Sequence, residues 1–213
     1  MTTGGDYDRD SWERRWSEAL SKGAHAIDRH PPNAHLVAAV ADLAPGSALD
    51  AGAGHGAETV WLATRGWRVT AVDFSTTALE YARARAEGLG PDIAERIEWI
   101  AADLGAWAPP AASYDLVACL YVHVAGSVPD MVQRLAAGVA AGGTLLMAGH
   151  RPTDPATGEP TRAAGQVQVS VDAVLAALEP GHWQVVVAED RPRESGPSGI
   201  DAVVTAHRLG AGG

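Results

Sequence analysis

The chain has 213 residues, near the size of one large domain, and its 46% hydrophobic and 20% charged residues are the balance of an ordinary globular protein. A formal net charge of -10, from 26 acidic against 16 basic residues, offers no basic field to a phosphate backbone and argues against nucleic acid as a partner. The one cysteine, Cys119, can close no intrachain disulfide and build no thiolate zinc site; with no apolar run of membrane-spanning length and a polar, acidic start, a cytoplasmic protein without membrane contact is expected.

In chain order, Trp12, Trp16 and Leu20 recur at helical spacing, with Asp10 and Glu13 in the form of a capping box. After Pro31-Pro32, Leu36, Val37, Val40 and Leu43 predict a second helix that ends at Pro45-Gly46. Ser47 to Ala51 is a short apolar run leading into a Gly-rich turn, and Thr59 to Thr64 continues as a helix. Val69 to Asp73 is the next strand, Ser75 the N-cap of a helix through Ala86, and Ile97 to Ile100 a third strand. Tyr114 to Val122 reads as a central strand covered on both faces, followed by a helix from Val128 to Ala141, Gly142-Gly143, and a strand from Thr144 to Gly149. This alternation predicts a parallel sheet with helices on both sides. Arg151 to Gln168 reads as a long loop, Val171 to Leu178 as a helix, and Trp183 to Ala188 with Ile200 to Ala206 as a terminal strand pair. Residues 1–213 are taken as one domain, with 1–46 as an N-terminal helical cover and 151–170 as a loop decoration.

The turn Asp50-Ala51-Gly52-Ala53-Gly54-His55-Gly56 lies where the first core strand meets a helix, a place at which a nucleotide cofactor can approach backbone amides. Glycine permits that approach and the positive φ it demands. Gly52 to Ala57 also satisfies the dinucleotide fingerprint with Ala last, so a nicotinamide enzyme and a tight turn without ligand both stand as alternatives. Asp73, ending the second strand, can accept hydrogen bonds from both ribose hydroxyls, and Phe74 can stack on adenine. Asp103, just after the third strand, can accept from an exocyclic adenine amine, or serve only as a turn-forming aspartate.

The segments Leu49 to Gly56, Val72-Asp73-Phe74-Ser75, Ala102-Asp103-Leu104 and Tyr114-Asp115-Leu116-Val117 resemble the ordered motifs of class I S-adenosylmethionine-dependent methyltransferases. Trp12-Glu13-Arg14-Arg15-Trp16, Tyr121-Val122-His123, Gly149-His150 and Gly199-Ile200-Asp201-Ala202 are similar to the branch holding the tellurite-resistance and thiopurine methyltransferases. The resemblance implies an α/β, three-layer, Rossmann-like sheet of seven strands in the order 3-2-1-4-5-7-6 with strand 7 antiparallel. It also implies S-adenosyl-L-methionine as cofactor. The expected cofactor contacts are Trp16, Asp50, Gly52, Gly54, Gly56, Asp73, Phe74, Asp103, Leu104 and Leu120. His55 departs from the short polar residue usual among relatives, and no role passes to it.

Methyl transfer from a sulfonium is an in-line displacement, so positioning supplies much of the acceleration. A thiol that ionises near neutral pH needs little help, whereas a hydroxyl needs a base. Candidates at the carboxyl ends of the strands are His123, favoured, and His150, with Tyr121 as a wall or proton-linked group; each also fits a purely structural role. Trp12 and Trp16 fit the acceptor pocket or simple packing, and Cys119 reads as a small buried hydrophobe. His25, His30 and His35 straddle the Pro-Pro break without carboxylate or thiolate companions, so no metal is expected. The expected partner is a small-molecule acceptor, ideally a thiol or other soft nucleophile, and the expected state a monomer or homodimer. An O- or N-methyltransferase of natural products, a nicotinamide-dependent oxidoreductase and a non-catalytic cofactor sensor are the rivals.

Overall fold

Short apolar runs form the first strands of this computed structural model: Ser47–Ala51 leads into a Gly-rich turn, and Arg68–Asp73 into Phe74 and Ser75, which caps the next helix. The structure describes residues 9–28, 31–123, 126–161, 163–165, 167–193 and 199–210, with the backbone alone at 9 and 22–28. Seven strands follow the order β3-β2-β1-β4-β5-β7-β6, as the resemblance implied. Two compact units, residues 1–107 and 108–213, divide the chain.

In the first unit, α1 (Arg9–Asp28) and α2 (Ala34–Ala39) precede β1 (Ser47–Ala51), α3 (Ala57–Thr64), β2 (Arg68–Asp73), α4 (Thr76–Gly88), the short α5 (Pro91–Ala94) and β3 (Ile97–Ala101). β1 and β3 flank β2 in parallel, pairing Ala51 with Val72 and Asp73 with Ala101. Ser75 caps α4 by accepting from the Ala78 amide at 3.1 Å, as its position predicted. Two expectations change. α1 already runs through Asp10, so Asp10 and Glu13 form no capping box. α2 stops at Ala39, where the Val40 amide turns back to the Leu36 carbonyl at 3.1 Å.

In the second unit, β4 (Tyr114–Leu120), α6 (Val128–Ala137), β5 (Val139–His150), α7 (Val171–Ala177), β6 (Trp183–Pro192) and β7 (Ile200–Arg208) follow. β5 runs parallel to β4 and antiparallel to β7, and β7 runs antiparallel to β6. Ser127 and Ser170 cap α6 and α7 through the amides of Asp130 and Ala173. Leu116, Val117 and Ala118 are wholly buried, as a central strand requires, and Cys119 packs beside them. β6 is the edge strand, and Val185 and Val186 on it are exposed.

The sequence places the end of α6 at Ala141, but the helix stops at Ala137 and residues 139–143 join β5. Tertiary pairing overrides the helical preference of the alanines. Tyr114 pairs with Val139, the register then shifts, and Leu116 pairs with Thr144, so the extra residues bulge at Gly142, whose φ is 78°. A Cβ at Gly138 would stand 2.6 Å from the Pro109 ring, and the Arg208 guanidinium reaches the carbonyls of Ala137 and Val139. β4 likewise ends at Leu120, not Val122, because Tyr121 turns the chain at a φ of 58°.

Leu146 on β5 is wholly buried between strands on both sides. Leu146→Ala should cost about 2–5 kcal/mol by transfer and cavity terms. Urea titration should show a lower midpoint with an unchanged slope.

Candidate active site

In the first unit, the residues expected at the cofactor gather at the carboxyl ends of β1 and β2. Gly52, Gly54 and Gly56 all hold positive φ, at 90°, 50° and 75°. A Cβ on Gly56 would stand 2.7 Å from that of Ala82, so glycine is required there twice over. The turn is pinned by Gly52 and Ala53 amides on the Val72 carbonyl, at 2.7 and 3.1 Å. Asp73 then holds the two loops together: its Oδ2 accepts from the Gly54 amide and its Oδ1 from the Ser75 amide, both at 2.9 Å. Burial pushes the Asp73 carboxyl up, with these amides opposing the shift. A carboxylate offers about four acceptor sites, more than the amides of Ser75, Gly54 and Phe74 take up, so capacity remains for a ligand hydroxyl.

The other cofactor candidates divide. Phe74 is half-buried beside Asp73 and Leu104 is buried. Asp103 is exposed and its Oδ1 accepts from the Gly105 amide at 2.7 Å, which makes it a turn-forming aspartate whatever else it binds. Asp50 lies beneath the turn, 2% exposed, where Thr59 Oγ donates to its Oδ2 at 2.5 Å and ties α3 to β1. Burial, and then the charge of Glu58, push its carboxyl up to about 7. Leu120 belongs to the second unit, at the end of β4.

α1 sits on this turn. The position a Gly54 Cβ would occupy is 2.9 Å from Trp16 Cζ2, and the Trp16 ring lies 5.5 Å from that of His55. Glu13 accepts from the Thr76 amide at 2.7 Å and its hydroxyl at 3.2 Å, so it supports the first turn of α4 rather than its own helix. Burial acts to raise its pKa, yet hydrogen bonds from Thr77, Thr76 and Ser75 outweigh it and hold Glu13 below the ordinary value.

In the second unit, Tyr121 and His150 come together around a residue that the sequence reading did not place at the site, Asp201. Asp201 is wholly buried. Its Oδ1 lies 2.8 Å from His150 Nδ1 and 2.8 Å from Arg193 Nη2; its Oδ2 takes the Tyr121 hydroxyl at 2.9 Å and Arg193 Nε at 3.3 Å. Burial alone would raise this carboxyl, but the hydrogen bonds of His150, Arg193 and Tyr121 hold it well below the usual carboxylate range. The same pairing with Asp201 raises Arg193. The Tyr121 and His150 rings stack at 4.2 Å.

His123 meets Gln168, whose Nε2 is 3.2 Å from His123 Nε2 while its Oε1 accepts from the His150 amide at 2.7 Å. A Cβ on Gly149 would stand 2.8 Å from the Val169 carbonyl, so this glycine lets Gln168 reach the strand. Gly199 does the same for Arg193, whose guanidinium passes 3.0 Å from where its Cβ would be. Glu13, Gln168, Arg193 and Asp201 were therefore missed as site residues, although Gly199 to Ala202 was already marked as a motif. The His25 side chain and His30 lie outside the described residues, and among those described no three His, Cys, Asp or Glu stand together as metal ligands. No described helix is long and apolar enough to cross a membrane.

Asp50 yields a prediction with a definite sign. Its folded pKa lies above the unfolded value, so its contribution to stability is complete below the ordinary carboxylate range and is lost as pH rises through about 7. The melting temperature of the parent should fall between about pH 4 and about pH 7 and level off above that, and Asp50→Asn should flatten the decline in thermal scans.

Residues 48–143 match the family described as a methyltransferase domain, a span that holds the Gly-rich turn, Asp73 and Asp103. Over 139 residues, 62% of this chain, the sequence is 34% identical to the trans-aconitate 2-methyltransferase of Paracidovorax citrulli (strain AAC00-1), and it spans about half, 49%, of that relative's length. The structure is similar to an S-adenosylmethionine-dependent methyltransferase from Mesorhizobium loti, with a TM-score of 0.63 and 21% identity over 81% of this chain and 95% of that one. It is also similar to TehB from Haemophilus influenzae, with a TM-score of 0.66 and 17% identity over 83% and 62% of the two chains. The strand order with its antiparallel β7 and these likenesses give the chain the Rossmann-like fold of the S-adenosylmethionine-dependent methyltransferases, with the match to the methyltransferase domain confined to residues 48–143.

Proposed function

We propose that the chain transfers a methyl group from S-adenosyl-L-methionine to a small-molecule acceptor. The observation that carries this is the Asp73 carboxylate, fixed between the Gly54 and Ser75 amides beside three glycines at positive φ, with acceptor capacity left for a ribose. The cofactor supplies an electrophilic methyl carbon on a positively charged sulfur. Asp73 holds the ribose hydroxyls, Gly52, Gly54 and Gly56 let the ligand approach the backbone, Phe74 packs on the adenine and Asp103 accepts from its amine. Asp50 acts from below, by holding α3 against β1. The match over residues 48–143 and the methyltransferases described above support the reading.

On the acceptor side the reading assigns His123, Tyr121 and His150. A thiol is the acceptor that demands least of them, and a hydroxyl or amine the one that demands a base. The motif residues Trp12 to Trp16, Tyr121 to His123 and Gly199 to Ala202 support the tellurite-resistance and thiopurine branch. We take 1–213 as one domain, monomeric or dimeric and cytoplasmic, that engages neither nucleic acid nor membrane; the net charge of -10 supports the first of these exclusions. α1, with Trp16 against Gly54 and Glu13 on α4, is its cover.

Calorimetry should detect S-adenosylhomocysteine binding and no comparable binding of NAD; the reverse would favour an oxidoreductase. Asp73→Ala should weaken S-adenosylhomocysteine by about 2–4 kcal/mol through the loss of two charge-assisted hydrogen bonds. Residues 12–35 should gain amide protection when S-adenosylhomocysteine binds, and hydrogen exchange unchanged over this segment would remove the cover from the proposal.

A further inference from the structure

Glu13 belongs to α1 but places its carboxylate on α4. It accepts from the Thr76 amide at 2.7 Å and the Thr76 hydroxyl at 3.2 Å, and the Ser75 and Thr77 hydroxyls join them. We infer that Glu13 is the latch of a gate formed by α1, and that its contact with Thr76 sets the rates at which a nucleoside ligand enters and leaves the Gly-rich turn. The inference rests on the cofactor site of the methyltransferase reading and adds to it a positioning residue that governs access.

Two segments of the first unit, the Gly-rich turn and the start of α4, are joined twice. From within, Asp73 Oδ2 holds the Gly54 amide and Oδ1 the Ser75 amide. From the exposed side, α1 repeats the join with two residues one helical turn apart. Trp16 lies against Gly54, 2.9 Å from where a Cβ would stand, and Glu13 grips Thr76, next to Ser75. A nucleoside that approaches the Gly54 backbone to reach Asp73 must therefore pass α1. Burial comes first in pushing the Asp73 carboxyl up, and the Glu13 charge adds to that push, so the two carboxylates lie within electrostatic reach of each other.

The weak seating of α1 makes it a gate. The helix runs for 20 residues, yet none of its described side chains, residues 10–21, is buried. α4, which α1 packs against, sinks Ala78, Leu79, Ala82 and Ala86 into the core. Swinging α1 away exposes little apolar surface, so its opening belongs to the low-energy end of the motions a folded chain makes. Against so small an opening cost, one carboxylate on the first turn of the 13-residue α4 is a large share. It meets the positive end of the helix dipole and satisfies an amide that has no partner within its own helix. Loss of that contact speeds opening both before a ligand enters and while one is held.

Biosensor kinetics with the full chain immobilised and S-adenosylhomocysteine as analyte read the two rates separately. Glu13→Ala should raise both the association and the dissociation rate, each by about 2- to 10-fold. Kd should move less than either rate, and Glu13→Gln should do the same to a lesser degree. A damaged or partly folded site lowers association, so a merely structural residue does not give this pattern. A rise in dissociation alone overturns the gate, since α1 would then seat only after binding, and unchanged rates overturn the latch. Thr76→Pro tests the contact from the other side. It removes both Thr76 donors at the first helical position, where proline is well tolerated, and Ser75, at a ψ of 108°, already has the extended backbone that precedes proline. This variant should also speed both rates and add little when combined with Glu13→Ala; effects that multiply in full place the two residues in separate roles and overturn the latch. A parent chain that binds no S-adenosylhomocysteine overturns the methyltransferase reading, and the latch is then read without ligand. Amides of residues 12–20 should exchange several-fold faster in Glu13→Ala than in the parent, and equal exchange overturns the latch.

Discussion

A carboxylate buried at the end of a strand is costly unless donors surround it, and each half of this chain is arranged around one such group. Asp73 draws in the amides of Gly54 and Ser75, which brings the Gly-rich turn and the start of α4 to one point. Asp201 draws in His150, Arg193 and Tyr121 from β5, the segment after β6 and the end of β4. In both cases the loops beyond the strand ends take their positions from a charge that the sheet itself has buried. Removing either carboxylate would leave donors without acceptors, so the cost would spread over every loop attached.

The difference between the two clusters lies in the donors. Asp73 is met by backbone amides, which fix geometry without adding charge and leave capacity for a ligand. Asp201 is met by a guanidinium, an imidazole and a phenol, whose hydrogen bonds hold it ionised despite its burial. One carboxylate keeps room for a ligand and the other ties together segments that follow β4, β5 and β6.

Sequence patterns carried the parts of this structure that depend on local rules. The Gly-rich turn, Asp73 after its strand and the Ser75 cap are all consequences of spacing along one segment, and they stand where that spacing predicts. The strand order followed from motif resemblance, since no local pattern states it. Glu13 was legible as a capping residue but not as the cap of a helix 63 residues away. Gly142-Gly143 read as a turn because the pairing of Tyr114 with Val139, which draws these residues into β5, is set by a distant strand. Tyr121, His150 and Asp201 appeared in three separate motifs, but that they share one carboxylate is a fact of β4, β5 and β7 lying side by side. Gln168 and Arg193 had no motif at all. Their only trace was in Gly149 and Gly199, small residues that leave room for them.

Among the described residues β6 has no strand on its outer side, Val185 and Val186 on it are exposed, and such an edge is a template for another chain. The register breaks between Val185 and Val187, which twists the strand just where it is most apolar. Beyond that, Glu189, Asp190 and Arg191 bring charge, and Pro192 supplies no amide to pair. A foreign strand would find no flat, uninterrupted ladder longer than a few residues. The same irregularity that spoils the regular pairing of β6 with β7 thus guards the protein against stacking with copies of itself into aggregates.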